Sequence, residues 1–495
     1  MPYTSLIVAV LALIASTAFP AFNIQPLILV IIAPLIVVVR RSPSVRQAFG
    51  YGILFGTVYM AALHFWMMSL HAFVPLWAIT LTWIGYSAYL GLFFGATCAI
   101  IRWLPDKVPI WLSAPAAWTL LEYLRSLGPI GNPSGEVGYA VLNLQPLPLL
   151  GAMGGIFFVS YLVITINALV ADIAVKNWTG KLITCFVTFV IAGIWLATGQ
   201  LIRYHTVRST PDDTVTVSLL QGNHPQMDKF NPILWAKIKH DYLILTANTP
   251  TADLVIWPET ITPTLNDEDS ALRTKIHQLA IQHQSAIIWG TPIHRDNQYY
   301  NAIVGVNRYG KTLDPYLKNQ LMPFGEYWPG RSILTFIGLK DILGADYSRG
   351  NQTKPISVSD TLKIGSVICL ESMYPDHLRR ATQGGATLLV VIANNAWFTH
   401  SSAAEKHLQM SRMRAIENGR WLCVAANTGR TALIDPLGYP TQTLTPDVQA
   451  ALVGKTTLNR ETTAYTNHGN WIIGICFLIL GISSAYALYL KRNAD

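Results

Sequence analysis

Long apolar runs recur through the first two hundred residues and return once near the end of the chain. The hydrocarbon core of a bilayer takes about 20 mostly apolar residues in one helix. Runs approaching or reaching that length lie at Ser5–Pro20, Ile24–Val39, Phe49–Ser69, Leu76–Ile101, Ile110–Tyr123, Leu147–Ala171 and Leu182–Leu201. An eighth, Trp471–Leu490, stands alone. The pattern predicts seven spans, a long gap and one more span. The fifth run is the least regular, because Glu122 and Arg125 lie at its end. The first has no basic segment before it and is followed by further spans, so a cleaved signal peptide is not expected. Between them the polar loops alternate in charge. Arg40, Arg41 and Arg46, then Arg102 and Lys107, then Lys176 and Lys181, and finally Lys491 and Arg492 fall on one side, while a turn such as His71–Pro75 has no Lys or Arg. Basic loops stay in the cytoplasm. Both termini are therefore expected there, with the segment from Arg203 to Asn470 outside.

From Thr206 the pattern changes to short β-type runs alternating with helical ones. Val215–Leu220, Leu254–Trp257, Ala286–Trp289, Ala302–Val306, Ile364–Cys369, Thr387–Ala393, Trp421–Ala426 and Thr431–Ile434 read as strands. Their almost wholly apolar character predicts a sheet buried on at least one face. Ser270–Gln284 and Ala403–Asn418 carry apolar residues at helical spacing. The fold expected is a multi-span α-helical membrane domain over residues 1–205, an α/β extracytoplasmic domain over 206–466, and a C-terminal transmembrane helix with a short tail over 467–495.

Composition agrees with this reading. Of 495 residues, 51% are hydrophobic and 13% charged, against about 25% charged in an average soluble domain. The basic loops account for much of the net charge of +8 without a nucleic-acid partner. Five cysteines in such a length do not make a disulfide scaffold. His400 and His407 lack companions at metal-ligand spacing, so neither a metal nor another cofactor is expected. There is no phosphate-binding glycine loop and no G-x-S-x-G elbow.

Three segments could carry chemistry. In Val255-Ile256-Trp257-Pro258-Glu259 an apolar strand runs into Pro, which places Glu259 at its tip. Lys318 precedes a Pro- and Gly-containing apolar turn, and Cys369 ends the run Ile364–Cys369. Each alone has an ordinary reading: a capping or solvated Glu, a surface Lys, a buried inert Cys. The other cysteines read as structural, with Cys98, Cys185 and Cys476 packing within spans and Cys423 in the core. Together the three segments offer more. A thiol needs a base to become a nucleophile, and Glu259 can be that base. An acyl-transfer oxyanion needs a cation or N–H donors, which Lys318 and the backbone after Cys369 can supply.

This Glu–Lys–Cys order resembles the nitrilase (carbon–nitrogen hydrolase) superfamily. With seven spans before and one after, the chain is similar to the bacterial apolipoprotein N-acyltransferase family. The matching stretches are Leu220–Asn223, Trp257–Glu259, Lys318–Tyr327, Ile368–Glu371, Asn394–Phe398 and His407–Arg420. The resemblance implies an α-β-β-α sandwich, with Glu259 as general base, Lys318 as oxyanion stabiliser and Cys369 as nucleophile. It further implies support from Glu326 and Glu371, and Trp397 near the substrate. Gln320, Leu370, Asn395 and Phe230 depart from its usual His, Tyr, Asp and Trp. The activity implied is N-acylation of a diacylglyceryl-cysteine lipoprotein, with a membrane phospholipid as donor, by a monomer in the bacterial inner membrane. The apolar segment Arg331–Leu343 reads as a lid or an ordinary helix. A membrane-tethered amidase is the alternative. A transporter or receptor would want ionisable residues within the spans, and the runs contain almost none.

Overall fold

The computed structural model describes residues 2–176, 178–208, 213–331, 346–398 and 401–493. The segment Arg331–Leu343, read as a lid or an ordinary helix, lies outside these but for its first residue. The chain divides into a helical unit and an α/β unit.

In the helical unit, Leu76–Trp103, Leu147–Val175, Trp178–Thr206 and Trp471–Arg492 are each long and apolar enough to cross a membrane. Val45–Leu63 and Phe65–Ala72 would make a fifth span, bent by 44°. The other apolar runs form shorter helices among the described residues. Pro2–Ser16 has 15 residues, about 22 Å of helix. The run from Ile24 breaks at Val30–Ile32 before the helix Ala33–Arg40. The backbone N–H groups of Ile32 and Ala33 donate to Asn167 Oδ1 at 2.9 and 3.0 Å, so an interior amide satisfies the break. The fifth run, now Ile110–Arg125, ends in buried charge. There Arg125 donates to the carbonyl of Ser134 at 2.7 Å and pairs with buried Glu136 at 3.3 Å, and Glu122 accepts from Trp118 and the N–H of Val137. Cys185 departs from its expected packing role. It is exposed, because Trp178–Arg208 presents most of its apolar side chains outward.

The helices Val45–Leu63 and Leu76–Trp103 meet through two small-residue pairs four apart, Gly52 with Gly56 and Gly91 with Gly95. A Cβ on Gly91 would lie 2.9 Å from the Thr57 nitrogen and press on its hydroxyl. This close approach lets backbones pack in a solvent where apolar burial gives little drive.

The α/β unit is built on two six-stranded sheets. The first has the order β12-β1-β2-β3-β4-β5, with β1 Asp213–Gln221, β2 Leu254–Ile256, β3 Ala286–Arg295, β4 Gln298–Val306, β5 Tyr316–Leu317 and β12 Ala450–Leu458. The second runs β11-β10-β9-β8-β7-β6, with β6 Ile356–Ser357, β7 Lys363–Ile368, β8 Leu388–Ala393, β9 Leu422–Ala426, β10 Ala432–Ile434 and β11 Pro440–Thr443. In each sheet three central strands are parallel and the flanks antiparallel.

Alternation along the strands assigns the layers. Leu254 and Ile256 face the second sheet, packing with Ile364, Ile368, Val390 and Ile392. Val255 and Trp257 face outward, where Ile238, Tyr242, Ile276 and Ala280 of the helices Pro232–Asn248 and Ser270–His283 cover them. On the other side Val367, Leu389, Val391 and Val424 pack under Leu378, Ala381 and Ala415 of the helices Pro375–Gln383 and Ala403–Asn418. The unit is an α-β-β-α sandwich, and its central strands are largely apolar because both faces are covered.

A methyl group at Gly91 forces the two helices apart. Gly91→Ala should cost about 1–3 kcal/mol and lower the melting temperature in detergent. Gly85→Ala, on the same helix with open space around it, should not lower it.

Candidate active site

The C-terminal ends of the parallel strands converge at one place, and short turns leaving them carry polar side chains inward. After β2 the N–H of Trp257 still bonds Ile288, and its indole is stacked on Tyr242 at 5.3 Å. The chain then turns at Pro258 and delivers Glu259, which is 7% exposed. A Cβ at residue 290 of β3 would come within 2.6 Å of the Glu259 Cα, so only glycine leaves room for this turn. Lys318 leaves the short strand β5, its N–H bonded to the carbonyl of Asn301 at 2.9 Å. Cys369 follows β7 directly, and its φ of 51° swings the chain into a 3-10 turn, Cys369–Met373. A non-glycine residue there is strained, and such strain is held by its surroundings.

These turns bring Lys318 and Glu259 into direct contact and place Cys369 beside them. The Lys318 ammonium, 2% exposed, donates to Glu259 Oε1 at 3.2 Å and Glu326 Oε1 at 2.9 Å. The Cys369 thiol lies close enough to the Glu259 carboxylate, the Lys318 ammonium and the Asn394 N–H for all three to act on its ionisation. That same N–H reaches Glu259 Oε2 at 3.0 Å. Asn301 Nδ2 bridges the carboxylates, at 2.9 Å from Glu259 and 2.7 Å from Glu326. Glu326 also accepts from the N–H of Met322.

Glu371 joins from the other side. Fully buried, it accepts from the N–H groups of Asn319, Gln320 and Ile368 and from the hydroxyl of Tyr316, at 2.6–3.0 Å. It therefore ties the turn after Cys369 to the turn after Lys318. Trp397 is placed differently. It lies on the turn after β8 with its ring edge-on to Phe230 at 5.7 Å. Phe230, at the position where Trp was expected, is 54% exposed.

The electrostatics divide the roles. Burial pushes the Glu259 carboxyl up, but the Lys318 ammonium and the hydrogen bonds from Asn301, Lys318 and Cys369 outweigh it and hold Glu259 below the ordinary carboxylate range. Burial would lower Lys318, yet Glu259 and Glu326 raise it. The thiol is pushed well up, first by burial and then by Glu259. At rest the set is an ionised carboxylate, a protonated lysine and a neutral thiol. Such a set suits attack on an acyl carbon.

A second buried lysine, Lys229, donates to the carbonyl of Thr260 at 2.9 Å and is pushed down to about 7 by burial. His407 Nε2 donates to the carbonyl of Cys369 at 3.0 Å. Asn301, Lys229 and His407 were not singled out for roles in the sequence. Asn301 immediately precedes a predicted strand, and His407 lies in a stretch already matched to the family, but neither position announces its partner. Among the described residues no cluster of three or more His, Cys, Asp or Glu could hold a metal ion.

The family profile for carbon-nitrogen hydrolases matches residues 216–464. That for the apolipoprotein N-acyltransferase N-terminal domain matches 11–169. An apolipoprotein N-acyltransferase from Pseudomonas putida is 32% identical, covering 94% of this chain and 93% of its own. One from Azotobacter vinelandii is also 32% identical, covering 98% and 95%. The chain belongs to the apolipoprotein N-acyltransferase family. It is an acyltransferase with a carbon–nitrogen hydrolase fold in its α/β unit. A solved carbon-nitrogen hydrolase from Helicobacter pylori is similar at 17% identity and a TM-score of 0.39, covering 49% of this chain and 88% of that one. An amidase from Nesterenkonia sp. gives 18%, 0.38, 52% and 94%.

The acyltransferase's thiol gives a pH test of these electrostatics. A thiol in an unfolded chain ionises near pH 8.5, whereas the folded Cys369 stays protonated well above that. As pH rises the unfolded state loses its proton first, so stability falls by up to about 1.4 kcal/mol per pH unit. Thermal melting of wild type and Cys369→Ala should therefore diverge between pH 8 and 10, with wild type losing ground. Parallel curves would mean that the fold does not oppose the thiolate.

Proposed function

We propose that the enzyme moves an acyl chain from a membrane phospholipid to the N-terminal α-amine of a diacylglyceryl-cysteine lipoprotein, through a thioester on Cys369. The observation that carries this is the buried ion pair of Glu259 and Lys318 with the half-buried Cys369 beside it, in a chain with bilayer-length apolar helices on both sides of its α/β unit.

In the first half-reaction Glu259 accepts the thiol proton as sulfur bonds to the ester carbon. The developing oxyanion is held by Lys318 and the N–H of Leu370. As the C–O bond breaks, Glu259 returns the proton to the leaving lyso-phospholipid. In the second half-reaction the lipoprotein amine attacks the thioester, its proton passes to Glu259, and sulfur recovers that proton as the C–S bond breaks. This is a ping-pong scheme. A thioester suits it because amines attack it more readily than an oxygen ester, provided that water is kept out.

Glu326 holds Lys318 in place, and Glu371 fixes the two turns against each other. Trp397 with Phe230 offers an apolar surface for the substrate. Membrane-borne substrates favour a catalytic unit joined to the membrane at both ends. The alternation of basic loops supports eight crossings, both termini in the cytoplasm and the catalytic unit on the periplasmic face of the inner membrane. The enzyme is expected to act as a monomer.

Incubation with phospholipid alone should add one acyl chain to the Cys369 peptide by mass spectrometry, and nothing to Cys369→Ala. An unmodified wild-type peptide would favour the amidase reading instead. Lys318→Met should slow thioester formation by about 10²–10³-fold, or about 2.7–4 kcal/mol, the loss of one oxyanion donor. A reporter fused after Asn427 should read as periplasmic; a cytoplasmic signal would reverse the orientation.

A further inference from the structure

The turn that carries Cys369 is gripped at both ends by one helix. His407 and Arg414 of Ala403–Asn418 are seven residues apart, two helical turns, and so share a face. Arg414 Nη1 donates to the carbonyl of Met373, the last residue of the turn, at 3.3 Å. His407 Nε2 bonds the carbonyl of Cys369, the first residue, at 3.0 Å. The acceptor is a carbonyl, so Nε2 carries the proton. Cys369 has left the β7 ladder with a φ of 51°, so strand pairing no longer orients its carbonyl.

That carbonyl belongs to the same peptide unit as the N–H of Leu370. Carbonyl and N–H share one resonance system. A hydrogen bond accepted by the oxygen draws electron density from the nitrogen and makes its N–H a stronger donor, by about 10–30% of a bond. We propose that His407 is a positioning residue that fixes and polarises the Cys369–Leu370 peptide, so that the Leu370 N–H meets the oxyanion of the acyl-transfer step. This rests on the thioester reading above.

The role separates two reactions of one thiol. Thioester formation builds an oxyanion; alkylation by iodoacetamide does not. In single-turnover assays with phospholipid, His407→Leu should form the thioester about tenfold more slowly with KM little changed, while iodoacetamide alkylates Cys369 at the wild-type rate. His407→Gln, which keeps an N–H donor, should recover most of the loss. An unchanged thioester rate in His407→Leu would overturn the proposal. So would a parallel fall in alkylation, which would mean that the sulfur itself had moved, or equal losses in the Gln and Leu variants. Absence of a thioester in wild type would sink the underlying reaction and this role with it. A normal wild-type thioester with an unaffected Leu variant would sink this role alone.

Discussion

One buried ammonium organises the catalytic unit. Lys318 is removed from water and shared by two carboxylates, Glu259 and Glu326, with Asn301 donating to both. Burying a lone charge costs several kcal/mol, so the cation requires its partners, and they require it. Glu259 is kept ionised beside a thiol that burial and that same negative charge keep protonated. An ionised carboxylate and a protonated thiol are thereby held side by side.

The two sheets make this arrangement possible. Parallel strands deliver their C-terminal ends to one edge, and β2 and β7 bring Glu259 and Cys369 from opposite sheets. Lys318 comes from the antiparallel flank through β5, whose pairing with β4 also brings Asn301 beside it. The inter-sheet core holds these ends in register, and close packing leaves little freedom to adjust. Gly290 shows how tight the fit is, since β3 touches the backbone of Glu259 itself.

The helical unit solves a different problem. Apolar burial contributes little between helices in lipid, so contact depends on small residues and satisfied polar groups. Gly52, Gly56, Gly91 and Gly95 let two helices touch, Asn167 repairs a broken run, and Arg125 and Glu136 neutralise each other in the interior.

The amino-acid sequence by itself determined most of the kinds of element and the candidate site residues. Eight of the strands follow from apolar runs, because a strand covered on both faces has nowhere to place a polar side chain. Glu259 and Cys369 were legible because each ends an apolar run where polarity returns abruptly, and Lys318 only in company with them. The short strands β5, β6 and β11 were not legible, since each spans two to four residues with no apolar run of strand length around it. Nor was β12, whose apolar and polar residues mix and whose partner β1 is more than two hundred residues away. The lengths of the first two runs, the exposure of Cys185 and the pairings of Asn301, Glu371 and His407 were settled by tertiary structure alone. Periodicity records which face of one element is buried; it does not record which distant backbone or carboxylate will lie opposite, because that depends on how all the layers pack together.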